Sequence, residues 1–406
     1  MPNTELKRSS AADAGLIPDR VKRLTAVLQN EIDRKRLPGA VVLIARHGKV
    51  ALFESLGWQD PAAQTPMATD SVFRIYSMTK PITSVATMML YEQGQLLLTD
   101  AVAKFIPEFA KQQVQVAETG GGGGAVGGDT LRPASRPSTI HDLLRHTAGL
   151  TYEFLGNGPV QRQYAQARLG LRDRGNAEYM PALAAMPLIN DPGAVWEYSR
   201  ATDVLGRIVE VVSEQALGAY FQEHIFSPLG MRHTAFSVAP ALHHKLAEPF
   251  AKDPDGGLQM KVFDVKQPAA FESAGGGLAS TTMDYARFMQ FMLNRGELDG
   301  VRLLGPRTVD FMTTDHLGDI PVNSGGSSGL LIPGYGFGLG FAVRKTTGVA
   351  PVPGSVGMYY WGGLAGTTFF IDPALNLCAT LMIQAPNQRE YYRHLFRDMV
   401  YAAVAD

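Results

Sequence analysis

The sequence predicts a mixed α/β protein of the α+β kind: an antiparallel sheet assembled from both ends of the chain and flanked by helices, with a mainly helical region inserted. Three observations predict it. Two β-rich runs, AVVLIARHG and KVALFESLG, stand near the N-terminus and are joined by a His-Gly turn. Helical spacing then dominates the middle of the chain, as in STIHDLLRHTAGL, AEYMPALAAM and ATDVLGRIVEVVSEQALGAYFQEHIF. Strand-like runs return near the C-terminus in YGFGLGFAVRK, GTTFFIDP and LCATLMIQ.

Taken in order, DRVKRLTAVLQNEIDRKRLPG reads as an opening helix and the next two runs as a hairpin. The segment from Thr79 to Gln93 has helical spacing and stops at Gly94, a common helix-ending residue. TTMDYARFMQFMLNRG is a further helix candidate, and a last one runs from about Gln388 onward. These patterns predict a sheet unit from residues 1–94 and 272–406 and a helical unit from residues 95–271. Within the helical unit, residues 119–138 form a glycine-rich stretch whose backbone entropy argues for a surface loop.

The 406 residues can bury a sizeable core, and 45% hydrophobic with 18% charged residues is ordinary for a soluble globular chain. A formal net charge of -1 offers no basic footprint for nucleic acid. The single cysteine, Cys378, lies in an apolar run and cannot form an internal disulfide, so a cysteine-stapled scaffold is excluded. The first residues lack the apolar stretch of a secretory signal, and no uncharged apolar run reaches the roughly 18 residues that span a bilayer. A cytoplasmic protein without membrane or nucleic-acid partners is therefore expected.

Two motifs are set aside. Gly122, Gly124 and Gly127 match the dinucleotide fingerprint, but no β-run precedes them and no amphipathic helix follows. Gly325, Ser327 and Gly329 match the nucleophile elbow, yet their flanks read as loop and the alternating βα pattern of that fold is missing. His141 and His146 are five apart and so point to different sides of a helix, and no zinc-type His or Cys spacing occurs. Neither a metal nor another cofactor is expected.

Ser77 and Lys80 are more informative. In RIYSMTKPITSV they stand three apart where a helix begins, with Pro81 suited to its first turn. Residues at that spacing share a face, with Cβ atoms about 5–6 Å apart, so both side chains can enter one site. As a plain helix cap, Ser77 would prefer Glu or Gln three residues on, and a cation in the first turn costs roughly 0.3–1 kcal/mol. Further along, Tyr198 falls in a Pro-Gly loop just ahead of a strong helix. Trp361, Gly362 and Gly363 precede a β-run, where bare backbone could line a groove.

This order of motifs resembles the family VIII carboxylesterases, serine esterases with the fold of class C β-lactamases and penicillin-binding proteins. LLRHTAGLTY, PGAVWEYS, SAGGGLASTTMDYARFM, GYGFGLGF and YYWGGLAGTTFFIDP extend the resemblance from about residue 15 to the end. The resemblance implies a β-lactamase/transpeptidase-like fold with the site between the two units. It makes Ser77 the nucleophile, Lys80 its partner and Tyr198 the third member. The backbone N–H groups of Ser77 and Leu364 become the oxyanion hole, and Trp361, Gly362 and Gly363 line the substrate site.

Two positions depart from β-lactamases: Arg200 stands where their Y-x-N motif has Asn, and Trp361 where K-T-G has Lys. Loss of that lysine removes an anion contact, so neutral short- to medium-chain esters, cleaved through an acyl-enzyme on Ser77, fit better than β-lactams. A β-lactamase or D,D-peptidase, and an acyltransferase using the same three residues, are the alternatives. The base is either Tyr198 as a phenolate beside Lys80 or Lys80 as the free amine.

Overall fold

The N-terminal helix Pro18–Asp33 and the C-terminal helix Arg389–Ala402 pack against each other on one face of an eight-stranded sheet. Each presents an apolar stripe at helical spacing: Val21, Leu24, Leu28 and Ile32 on the first, Tyr392, Phe396 and Val400 on the second. The computed structural model describes residues 5–116, 130–325, 327 and 329–405. Gly122, Gly124, Gly127 and much of the glycine-rich stretch lie outside the described residues.

All neighbouring strands pair antiparallel, in the spatial order Tyr335–Phe337, Ala342–Arg344, Tyr359–Gly362, Thr368–Asp372, Leu377–Ile383, Gly39–Arg46, Lys49–Asp60 and Thr65–Pro66. One sheet is thus built from both chain ends, joined where Val42 faces Leu381. The hairpin between its first two strands turns at His47 and Gly48, both with positive φ (54° and 70°), the geometry a tight two-residue turn requires. Every residue of Gly39–Arg46 and of Leu377–Ile383 is buried, which explains their unbroken apolar runs. Cys378 is among them, a buried thiol with its proton affinity pushed up by burial, which marks it as a core residue.

Helix Thr282–Leu293 packs on the central strands, and Thr79–Glu92 packs against Ala201–Ser213, with residues 79–90 wholly buried. The helical region also holds Ile140–Leu144, Pro159–Gln166 and Asn176–Ala184. The long pattern from Ala201 does not form one helix. It ends at Ser213, where Glu214 adopts φ 58°, and a new helix begins at Leu217. Among the described residues no helix is long and apolar enough to cross a membrane.

Candidate active site

A two-strand ladder outside the main sheet brings distant segments together. Val72–Arg74 pairs antiparallel with Ala279–Thr281, and the Ile75 amide continues the pairing to the Leu278 carbonyl at 3.0 Å. The next residue, Tyr76, has φ 45°, a conformation bulky residues seldom adopt and which persists only when neighbours enforce it. The Tyr76 side chain is held by Phe263, whose ring meets the Tyr76 ring edge-on at 4.7 Å and whose N–H donates to the Tyr76 hydroxyl at 3.2 Å. A single 3-10 turn, Tyr76–Met78, then leads into Thr79–Glu92. Ser77 does not cap this helix. It is partly exposed between buried Tyr76 and Met78 and lines a cavity of about 740 Å³.

Lys80 is 1% exposed one turn on. Its ammonium donates to the Gly275 carbonyl at 2.7 Å, to the Tyr152 hydroxyl at 3.0 Å and to Ser77 Oγ at 3.4 Å. Three donors thus meet three oxygens, which offsets the cost of a cation in the first turn of a helix. The same ammonium lies 4.5 Å from the centroid of the Tyr198 ring.

Tyr198 stands just ahead of Ala201–Ser213, 5% exposed, with Trp361 donating its indole N–H to the phenol oxygen at 3.2 Å. Where the β-lactamase motif has a lysine, this chain therefore offers a neutral donor to Tyr198. Trp361 belongs to Tyr359–Gly362 and faces Phe369 across the sheet. The two glycines after it have steric causes. A Cβ on Gly362 would stand 2.8 Å from the Arg393 guanidinium, and one on Gly363 only 2.3 Å from the Ile75 carbonyl oxygen. The strand end and the Ser77 segment are in backbone contact, which sets Leu364 on the cavity wall beside Ser77. Among the described residues neither the Ser77 nor the Leu364 N–H donates to a backbone carbonyl.

The structure thus brings Ser77, Tyr198, Trp361 and Leu364 to one cavity, with Lys80 buried behind its wall and bonded to Ser77 Oγ. It adds three residues that sequence reasoning missed. Tyr152 and Gly275 hold Lys80, and Asp203 accepts from the Gly275 N–H at 2.9 Å and from Ser273 Oγ at 2.8 Å. Arg200 joins this group: it pairs with Glu153 at 2.7 Å and Asp203 at 3.6 Å and lies 5.0 Å from the Tyr152 ring centroid. The only local signals for Tyr152 and Gly275 were their places after HTAGL and within SAGGG.

The residues set aside remain apart from this chemistry. Ser327 is fully buried behind Tyr198, its Oγ accepting from the Tyr198 N–H at 3.2 Å and bonding the Glu197 carboxylate, so no ester reaches it. His146 packs 4.9 Å from the Tyr198 ring and bonds Ser199 Oγ at 3.1 Å. Burial, with the Lys80 charge added, holds its proton affinity well below the usual imidazole value, so it serves as a neutral support. His141 meets His316 at 2.9 Å instead. Among the described residues no three His, Cys, Asp or Glu side chains converge as a metal site.

With this geometry established, comparison with known proteins decides the family: the family model described as Beta-lactamase matches residues 24–403. The chain belongs to the Beta-lactamase family. Among its relatives, an uncharacterized protein of Mycobacterium tuberculosis is 35% identical over 364 residues, 88% of each chain. Esterase EstB of Burkholderia gladioli is 33% identical over 381 residues, 89% of each chain. Among solved structures, that of EstCE1, described as a hydrolase with promiscuous acyltransferase activity, superposes with a TM-score of 0.77 at 28% identity, covering 97% of this chain and 100% of the other.

Proposed function

We propose that this Beta-lactamase family member is a serine carboxylesterase that cleaves short- to medium-chain esters through an acyl-enzyme on Ser77. The observation that carries the reading is Lys80, which bonds Ser77 Oγ and lies 4.5 Å from the centroid of the Tyr198 ring, whose hydroxyl receives a Trp361 N–H in place of a lysine. Similarity to Esterase EstB supports it.

In this reading the site starts with one base, either Tyr198 as a phenolate beside the Lys80 ammonium or Lys80 as the free amine beside a Tyr198 phenol. Ser77 Oγ attacks the ester carbonyl and its proton passes to that base. The N–H groups of Ser77 and Leu364 receive the developing oxyanion, where one such donor is typically worth about 10²–10³ in rate. The tetrahedral species collapses, the same base returns the proton to the departing alcohol, and water then releases the acid. Tyr152 and Gly275 keep the Lys80 amine at its post throughout. Trp361 presents an apolar ring and one N–H to the site, which favours an uncharged group near the carbonyl over the carboxylate of a β-lactam.

Acyl transfer is the second reading, favoured by a cavity of about 740 Å³ that has room for an acceptor alcohol beside the acyl group. The test is hydrolysis of p-nitrophenyl butyrate and of nitrocefin by wild type, Ser77→Ala and Ser327→Ala. Rapid ester cleavage that Ser77→Ala abolishes and Ser327→Ala retains is expected, with little nitrocefin turnover. A dead Ser327→Ala with an active Ser77→Ala would overturn the site. Product partition with an added alcohol separates hydrolysis from transfer.

A further inference from the structure

We propose that the wall formed by Arg172 and Phe263 is an anion subsite, which binds a carboxylate carried by the ester substrate at a distance from its reacting carbonyl. The proposal rests on the esterase reading and deepens it. Arg172 donates to the Gly276 carbonyl at 3.0 Å, and its guanidinium lies 3.7 Å from the Phe263 ring centroid. Gly276 itself lies against the Ser77 backbone: a Cβ there would be 3.8 Å from the Ser77 nitrogen. Phe263 is tied to Tyr76, the residue before Ser77. Gly276 thus stands between this cation and the Ser77 backbone, and both residues line the same cavity.

Among the described residues no carboxylate stands within ion-pair distance of Arg172, and Asp203 acts on its charge only from further away. Arg172 is bonded to a carbonyl and stacked on a ring. The nearby acids are taken: Asp173 by Arg168 and Arg174, Glu153 by Arg200, and Asp203 by Arg200, Ser273 and the Gly275 amide. Buried Arg74 and Arg287 do have acids, Glu248 and Asp299, whereas buried Arg344 and Arg397 rest on carbonyls and the Tyr335 hydroxyl. Exposed Lys261, two residues before Phe263, adds a second cation to the same wall.

Of the other arginines at the cavity, Arg200 pairs with Glu153 and Arg389 with Glu390, and the last two are less available. Arg393 is bound to the Gly363 carbonyl and Glu390, and its one unpartnered nitrogen, Nε, is buried away from the cavity's solvent. Arg397 is 5% exposed, on the Tyr335 hydroxyl and 3.9 Å from the Tyr360 ring centroid. Burial also depresses the proton affinity of Arg172, a cost that an arriving anion relieves. A planar guanidinium with free N–H groups suits a carboxylate. Uncharged esters remain substrates, and the remote carboxylate adds binding.

The experiment compares kcat/KM for two matched pairs, each normalised to its uncatalysed rate. p-Nitrophenyl hydrogen adipate against p-nitrophenyl hexanoate places the charge on the acyl part, and p-acetoxybenzoate against p-acetoxybenzamide places it on the alcohol part. Wild type is expected to prefer the anionic partner of one pair by roughly tenfold, the usual strength of a charge-assisted hydrogen bond. Arg172→Gln should bring that ratio to about one, Arg172→Lys should keep part of it, and added salt should reduce it. A wild-type ratio at or below one in both pairs, or a preference that survives Arg172→Gln, overturns the subsite while leaving esterase activity standing. Absence of any ester turnover overturns both. Should Arg172→Gln not fold, the wild-type ratios and their salt dependence decide.

Discussion

Lys80 donates to the Tyr152 hydroxyl at 3.0 Å, across 72 residues of sequence. Burial, and then the neighbouring Tyr198, raise the proton affinity of Tyr152 well above the usual phenol value, so it stays a neutral phenol that accepts from Lys80. In the proposed mechanism its task is to position the amine, whereas Tyr198 belongs to the proton-transfer pair. Tyr152→Phe should lower kcat by about tenfold with KM nearly unchanged, and Tyr198→Phe by about 10²–10⁴, the range of a lost acid–base group. Steady-state kinetics on p-nitrophenyl butyrate distinguish them, and equal losses would contradict this division of roles.

Lys80→Ala should abolish turnover, with kcat/KM down by about 10³ or more, because nucleophile activation and leaving-group protonation fail together. The protein should still fold, since the vacated space is bordered by a carbonyl and two hydroxyls that water can satisfy. Circular dichroism beside the kinetics checks both statements.

Gly363→Ala is expected to damage activity without touching any reacting group. Its methyl would stand 2.3 Å from the Ile75 carbonyl oxygen and from Thr367 Oγ1, so the strand end must move away from the Ser77 segment. Separating Leu364 from Ser77 should lower kcat by about 10²–10³, the loss typical of one oxyanion donor. Near-normal kcat would show that this glycine does not set the donor geometry.

Stability should fall on mild acidification through His141. Burial, followed by the Arg145 charge, lowers its pKa from 6.5 to about 4, and its partner His316 is lowered as well, mainly by burial. The unfolded chain then binds the proton more readily, so this contribution is full above about pH 6.5 and is lost as pH falls towards 4. Discounted for partial exposure, the loss is about 1–2 kcal/mol. Urea unfolding at neutral pH and near pH 5 should show it, and His141→Gln should flatten it.

What the sequence disclosed was local. The Thr79 helix ends before Gly94 because that glycine takes φ 71°, and Ser77 and Lys80 share a site because they are one helical turn apart. Strand runs such as Leu377–Ile383 were legible because burial on both faces makes them continuously apolar. The partners of Lys80 were not legible. Gly275 is 195 residues away and arrives through a ladder of three-residue strands too short to leave a periodic signal. The role of Arg200 was hidden for the same reason, since Glu153, 47 residues earlier, and the Tyr152 ring decide it.

The central claim is a covalent acyl group on Ser77. The most direct measurement is mass spectrometry of the protein quenched during turnover of p-nitrophenyl butyrate, followed by peptide mapping. A butyryl increment on the peptide containing Ser77, absent from Ser77→Ala, is the predicted result. An unmodified Ser77 peptide during active turnover, or the increment on the peptide containing Ser327, would contradict it.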